Sequence, residues 1–98
     1  MPMLRLLGTG VAAGGFAALY DTDADCLVAQ GISTRDGSAV LVPIELLDKL
    51  ESGMSAAAET TNTPGVALIA GTPVDEETRD KLLLEDDETA VSIPKGSR

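Results

Sequence analysis

Histidine and tryptophan are absent from this chain, cysteine occurs once, and aromatic residues make up 2% of its 98 positions, as Phe16 and Tyr20. Without histidine, Ser-His and Cys-His nucleophilic arrangements are excluded, as are zinc sites built on imidazole. With Cys26 alone, paired-thiolate sites and an intrachain disulfide are excluded too. Cys26 lies in "DCLVAQGI" with no basic neighbour to activate its thiol, so it reads as a small, inert strand residue. The shortage of rings leaves a core of leucine, valine, isoleucine and alanine, which bury less area per residue. A chain with so thin a core is expected to gain part of its stability by burying surface against neighbouring subunits.

Basic residues are also scarce. Seven of them stand against sixteen acidic ones, for a net charge of −9. That balance opposes contact with a phosphate backbone, so no direct nucleic-acid partner is expected. No polybasic cluster is present to offset repulsion from an anionic membrane surface, and no apolar run reaches the length of a membrane span, so no membrane partner is expected either. What is abundant is aliphatic: hydrophobic residues make up 44% of the chain, enough for one modest core.

Residues 3–7 read as a short strand. Between Gly8 and Gly15 glycine recurs too often for a helix, and an extended path fits better. "FAALYD" and "CLVAQGI" read as strands around the turn "DTDAD", and "STRDGS" is a second turn before the strand "AVLV". "PIELLDKLESG" fits a short helix with Pro43 in its first turn and a Glu45 to Lys49 pair; it fits a continuing strand equally well. "GMSAAAETTNTPG" is small and polar, an exposed loop. "GVALIAG", carrying Val66, Leu68 and Ile69, is nearly all apolar, which implies that both its faces are covered, by the domain itself or by a partner subunit. The best helix signal follows: Thr72 as cap, Pro73 in the first turn, then Asp75, Glu76 and Glu77 at the positive end of the dipole, with Asp75–Arg79 and Glu77–Lys81 pairs. Val74, Thr78 and Leu82 share one face, widened by Leu83, and "TAVSI" closes the chain as a strand before Pro94. The expected fold is α+β: a small β-rich single domain with short helices.

Three motifs suggest chemistry and fail in context. Gly8, Gly10 and Ala13 fit the G-x-G-x-x-A turn that cradles a pyrophosphate, yet Gly14 and Gly15 stand where the following helix must begin. The same stretch lies behind Arg5 like a secretion signal, but Pro2 and the glycines do not suit one. Asp21, Asp23 and Asp25 occupy the first ligand positions of a calcium loop, whereas Cys26 replaces its obligatory glycine and Ile32 its bidentate glutamate. The "EDDE" run at 85–88 reads as a solvated charged loop. No activated nucleophile is present, so the chain is expected to be no enzyme and to need no cofactor or metal.

The order of two blocks carries a resemblance. Residues 19–40, "LYDTDADCLVAQGISTRDGSAV", resemble the segment of lambda-like phage head decoration proteins with a D-T pair, then L-V-A, then a D-G-x-A-V turn and strand. The matching positions are Asp21, Thr22, Leu27, Val28, Ala29, Asp36, Gly37, Ala39 and Val40. Residues 76–93, "EETRDKLLLEDDETAVSI", resemble that family's acidic-Glu-Thr-basic helix and closing strand, at Glu77, Thr78, Arg79, Thr89, Ala90, Ser92 and Ile93.

The resemblance implies a homotrimer on the outer surface of the virion, at local threefold positions of an expanded icosahedral capsid, clamping the head against internal DNA pressure. Its partners would be the major capsid protein and copies of itself. Residues 1–18 would form an N-terminal capsid-contacting arm and 19–98 the compact domain. Met3, Leu4, Arg5, Leu6 and Leu7 would add a strand to a capsid-protein sheet, and Val66, Leu68 and Ile69 would meet neighbouring subunits. Two alternatives stand beside it: a small acidic adaptor or regulatory domain that binds through an apolar strand edge, and a calcium- or nucleotide-dependent enzyme fragment. Titration calorimetry with calcium and with a dinucleotide is expected to give no saturable heat; strong binding of either would restore the enzyme reading.

Overall fold

The computed structural model describes residues 4–12, 14–22, 25–34, 37–49, 58–82, 84 and 87–94. Met3, Ala13, Asp23, Asp36, Leu83, Glu85, Asp86 and the 50–57 part of the middle segment lie outside the described residues. Among the described residues, eight strands form a single antiparallel sheet, covered by a 3-10 helix at 44–49 and an α-helix.

β1 (Leu4–Ala12) and β2 (Gly15–Thr22) form a hairpin, in register from Leu4↔Thr22 to Ala12↔Gly15. Its two-residue turn needs a left-handed backbone, which Gly14 supplies at φ 80°. The glycine-spaced stretch is therefore sheet: Gly8 and Gly10 sit within β1, and a strand follows where a dinucleotide fold needs a helix. Register shifts between Leu6 and Gly8, a bulge that turns Leu7 toward the core while Leu6 stays outside.

β3 (Cys26–Thr34) is the central strand. One edge pairs with β8 (Glu88–Pro94), from Cys26↔Pro94 to Ile32↔Glu88. The other is shared: β2 pairs from Leu27 to Gln30, then β4 (Ala39–Pro43) from Ile32 to Thr34. The sheet forks there. Gly31 sits at the fork, where a Cβ would collide with the Leu41 carbonyl oxygen of β4. Beyond β4 the sheet continues through β6 (Val66–Ala70) to the two-residue β5 (Glu59–Thr60). The hairpin folds back over this branch, so that a Cβ on Gly10 would lie 2.6 Å from the Pro43 ring and one on Gly8 2.5 Å from Lys49 Cγ.

Alternation along the strands sorts side chains onto two faces. Inside the fold-back lies the main core, with Leu19, Leu27, Val40, Val42, Leu46, Ile69 and Val91 as its largest fully buried members. On the reverse face Val28, Ala90 and Leu82 form a second cluster, with Leu4, Tyr20, Val74 and Leu84 packed against it. Neither aromatic residue belongs to the buried core, and Phe16 is 44% exposed.

The middle segment "IELLDK" forms a 3-10 helix, Ile44–Lys49, with Leu46 buried and Pro43 ending β4. The C-terminal helix α1 spans Glu76–Leu82 and buries Thr78 and Leu82, as its face predicts. Its cap differs from the expectation. Thr72–Pro73 is a short strand, β7, paired with β8 at Ser92 and Val91, and Val74 N–H donates to the Ala90 carbonyl. With 72–74 held to the sheet, Asp75 becomes the cap, its Oδ1 accepting from Thr78 N–H at 2.9 Å. Arg79 donates to Thr89 Oγ1 at 2.8 Å, joining α1 to β8. The charged run also ends differently: Glu88 is not solvated but begins β8, 6% exposed, and accepts from Gln30 Nε2 at 3.4 Å.

Two stability outcomes follow from this packing. Gly31→Ala must push β3 from β4 and Ile69→Ala empties a fully buried site, so losses of about 1–3 and 2–5 kcal/mol are expected, read as lowered urea midpoints. Backbone donation from Thr78 holds the Asp75 carboxyl below its ordinary value. A folded-state value depressed in this way stabilises the fold above the unfolded carboxyl range and loses that contribution as pH falls through the folded value. Asp75→Ala should therefore lower the melting temperature at neutral pH, and the gap from the parent should shrink as pH falls through the range below the ordinary aspartate value.

Candidate functional site

Residues 6–20 contain no charged residue in a chain of net charge −9, and they form most of the β1–β2 hairpin. At its base Arg5 and Asp21, cross-strand partners, make an ion pair of 2.7 Å. Arg5 is 57% exposed, so the pair adds little stability but fixes a charge at the root of an otherwise neutral surface. Asp21 is thus engaged within the sheet, Asp25 is exposed, and no cluster of three or more potential metal ligands occurs among the described residues.

The residues expected to touch other chains are placed unequally. Leu4 packs against the second cluster and Leu7 against the main core. Arg5 and Leu6 face outward, Leu6 at 54% exposure. The 1–18 boundary falls inside β2, and β1 is hydrogen-bonded along its length to that strand. β1 ends the sheet, pairing with β2 alone among the described strands. Ile69 and Val66 are buried in the chain itself, because odd and even positions of β6 both find cover; only Leu68 of the three is partly exposed.

Two exposed residues were missed in the sequence. Val11 (69% exposed) and Phe16 (44%) are direct cross-strand partners at the turn end of the hairpin, and together make one apolar patch. The signal was available: two large hydrophobic residues flank a glycine turn, at positions whose neighbours Gly10, Ala12 and Ala17 point inward.

Elsewhere the side chains serve the fold. Tyr20 Oη lies 3.5 Å from Gln30 Oε1, continuing the Gln30–Glu88 contact, and burial pushes the Tyr20 phenol above its ordinary value. Thr22 Oγ1 donates to the Cys26 carbonyl at 2.7 Å, closing the β2–β3 turn. An open depression between β1 and the 3-10 helix is lined by Thr9, Glu45, Leu46, Asp48 and Lys49. No helix among the described residues is long and apolar enough to cross a membrane. No protein-family model, no curated protein and no solved structure matches this chain.

Proposed function

We propose that this chain is a capsid decoration protein that sits as a homotrimer on the outside of an expanded icosahedral head and braces it against internal DNA pressure. One observation supports the reading most. The two blocks that resemble decoration proteins are separated by residues 41–75, yet they form one unit in space: β3 of the first pairs along its length with β8 of the second, and Leu82 of α1 packs on Val28. A chance likeness of two short segments carries no requirement that they meet.

The chain's physical character agrees with that role. β1 ends the sheet, and its outer edge can take a strand of the major capsid protein, with Leu6 exposed beside it and Arg5 adding a charge. Backbone hydrogen bonds then supply affinity without demanding side-chain pockets, and three such contacts engaged together bind far more firmly than one. An acidic protein on the outer surface is repelled by DNA and cannot compete for the packaged genome.

Purified protein mixed with empty expanded capsids and imaged by electron cryo-microscopy is expected to occupy local threefold positions only, and light scattering to give a trimer. A folded monomer that ignores every shell would overturn the proposal and favour the small acidic adaptor.

A further inference from the structure

We infer that the strand received by the free edge of β1 carries a lysine or arginine between two apolar residues, and that Glu45 and Asp48 of the 3-10 helix select it. This rests on the decoration reading for the source of the strand, the major capsid protein, and deepens that reading by naming the residue pattern β1 accepts.

Register fixes which backbone groups are open. The β1–β2 hairpin turns on two residues, so Ala12 and Gly15 form a hydrogen-bonded pair, and such pairs alternate along an antiparallel ladder. Ala12, Gly10 and Gly8 therefore turn their N–H and C=O groups to β2. Val11 and Thr9 turn theirs to the outer edge, where no strand among the described residues pairs with them. An antiparallel strand added to that edge bonds at these two residues.

The pleat then sorts the side chains of the incoming strand. Those opposite Thr9 and Val11 lie on the outer face, where Val11 is 69% exposed and favours an apolar neighbour. The residue between them stands opposite Gly10, on the side toward which Gly8 and Gly10 face, where Pro43 and the 3-10 helix lie. That side holds the open depression lined by Thr9, Glu45, Leu46, Asp48 and Lys49, about 340 Å³ in volume. No β2 residue lines it, so it opens along the unpaired edge.

Charge selects what enters. Glu45 and Asp48 are exposed, and neither is ion-paired among the described residues. Lys49 is engaged otherwise, its side-chain stem lying against Gly8. A lysine or arginine reaching into the depression is attracted by both carboxylates, whereas an acidic side chain is repelled by them and by the net charge of −9.

The full chain, isotope-labelled and titrated by NMR with a blocked peptide acetyl-Thr-Val-Lys-Val-Lys-Val-Thr-amide, tests this with no shell present. The amides of Thr9, Val11 and residues 44–49 should shift, with a dissociation constant of about 1 mM. A counterpart peptide with glutamate at both lysine positions should bind about tenfold more weakly, and added salt should narrow the difference. Glu45→Lys combined with Asp48→Lys should reverse the preference. Glu76→Lys combined with Glu77→Lys, the same change of charge on α1, should leave it in place. All four side chains are exposed, so melting curves should match the parent. The inference is overturned if the lysine peptide leaves Thr9 and Val11 unmoved, if the two peptides bind equally, or if the preference survives Glu45→Lys with Asp48→Lys. A parent that shows the peptide preference and yet ignores expanded capsids overturns the decoration role instead.

Discussion

From Leu27 to Gln30, β3 is paired on both edges and buried on both faces, and the rest of the molecule is arranged around that strand. Its first half holds the β1–β2 hairpin, its last residues hold β4, and its far edge holds β8 from Cys26 to Ile32. Handing one edge from β2 to β4 forces the sheet to divide, and the divided sheet closes on itself around aliphatic side chains. Gly31 stands at the handover because any side chain there would strike the β4 backbone. A chain so poor in aromatic residues depends on such close backbone approach, since small side chains fill a core only when the strands carrying them come near one another.

The same fold-back explains the surface. Gly8 and Gly10 let β1 press against the 3-10 helix and Pro43, which spends the inner face of the hairpin on packing. Its outer face is covered near the base, where Leu4 and Tyr20 lie in the second cluster with Leu82, and bare near the turn, beyond the reach of the seven-residue α1. The exposed apolar pair Val11 and Phe16 is thus a by-product of helix length and strand length.

Much of the fold was legible in the sequence. Runs such as "CLVAQGI" and "TAVSI" carry β-forming residues between turn signals, and the Val74–Thr78–Leu82 face marked α1 without tertiary information. Where the reading went astray, a long-range hydrogen bond had overruled a local preference. Thr72 and Pro73 suit a helix start, but pairing with β8 holds them extended and passes the cap to Asp75. Glu88 belongs to an acidic run that looks solvated, yet its register opposite Ile32 draws it into the sheet beside Gln30. The resemblance to decoration proteins lay in two distant blocks, and their adjacency comes from β3–β8 pairing and the packing of Leu82 with Val28.

Charge, the uncharged stretches, the positions of most strands and the absence of imidazole chemistry were determined by the sequence itself, because each depends on residue type or on neighbours a few positions away. Which apolar residues stay outside was decided only by the tertiary structure. The sequence left open whether the domain itself or a partner covers Val66 and Ile69, and they are buried within the chain, while Val11 and Phe16 stay exposed. A bulge at Leu7 and a fork at β3 set those faces, and both arise from contacts between segments that no local pattern connects.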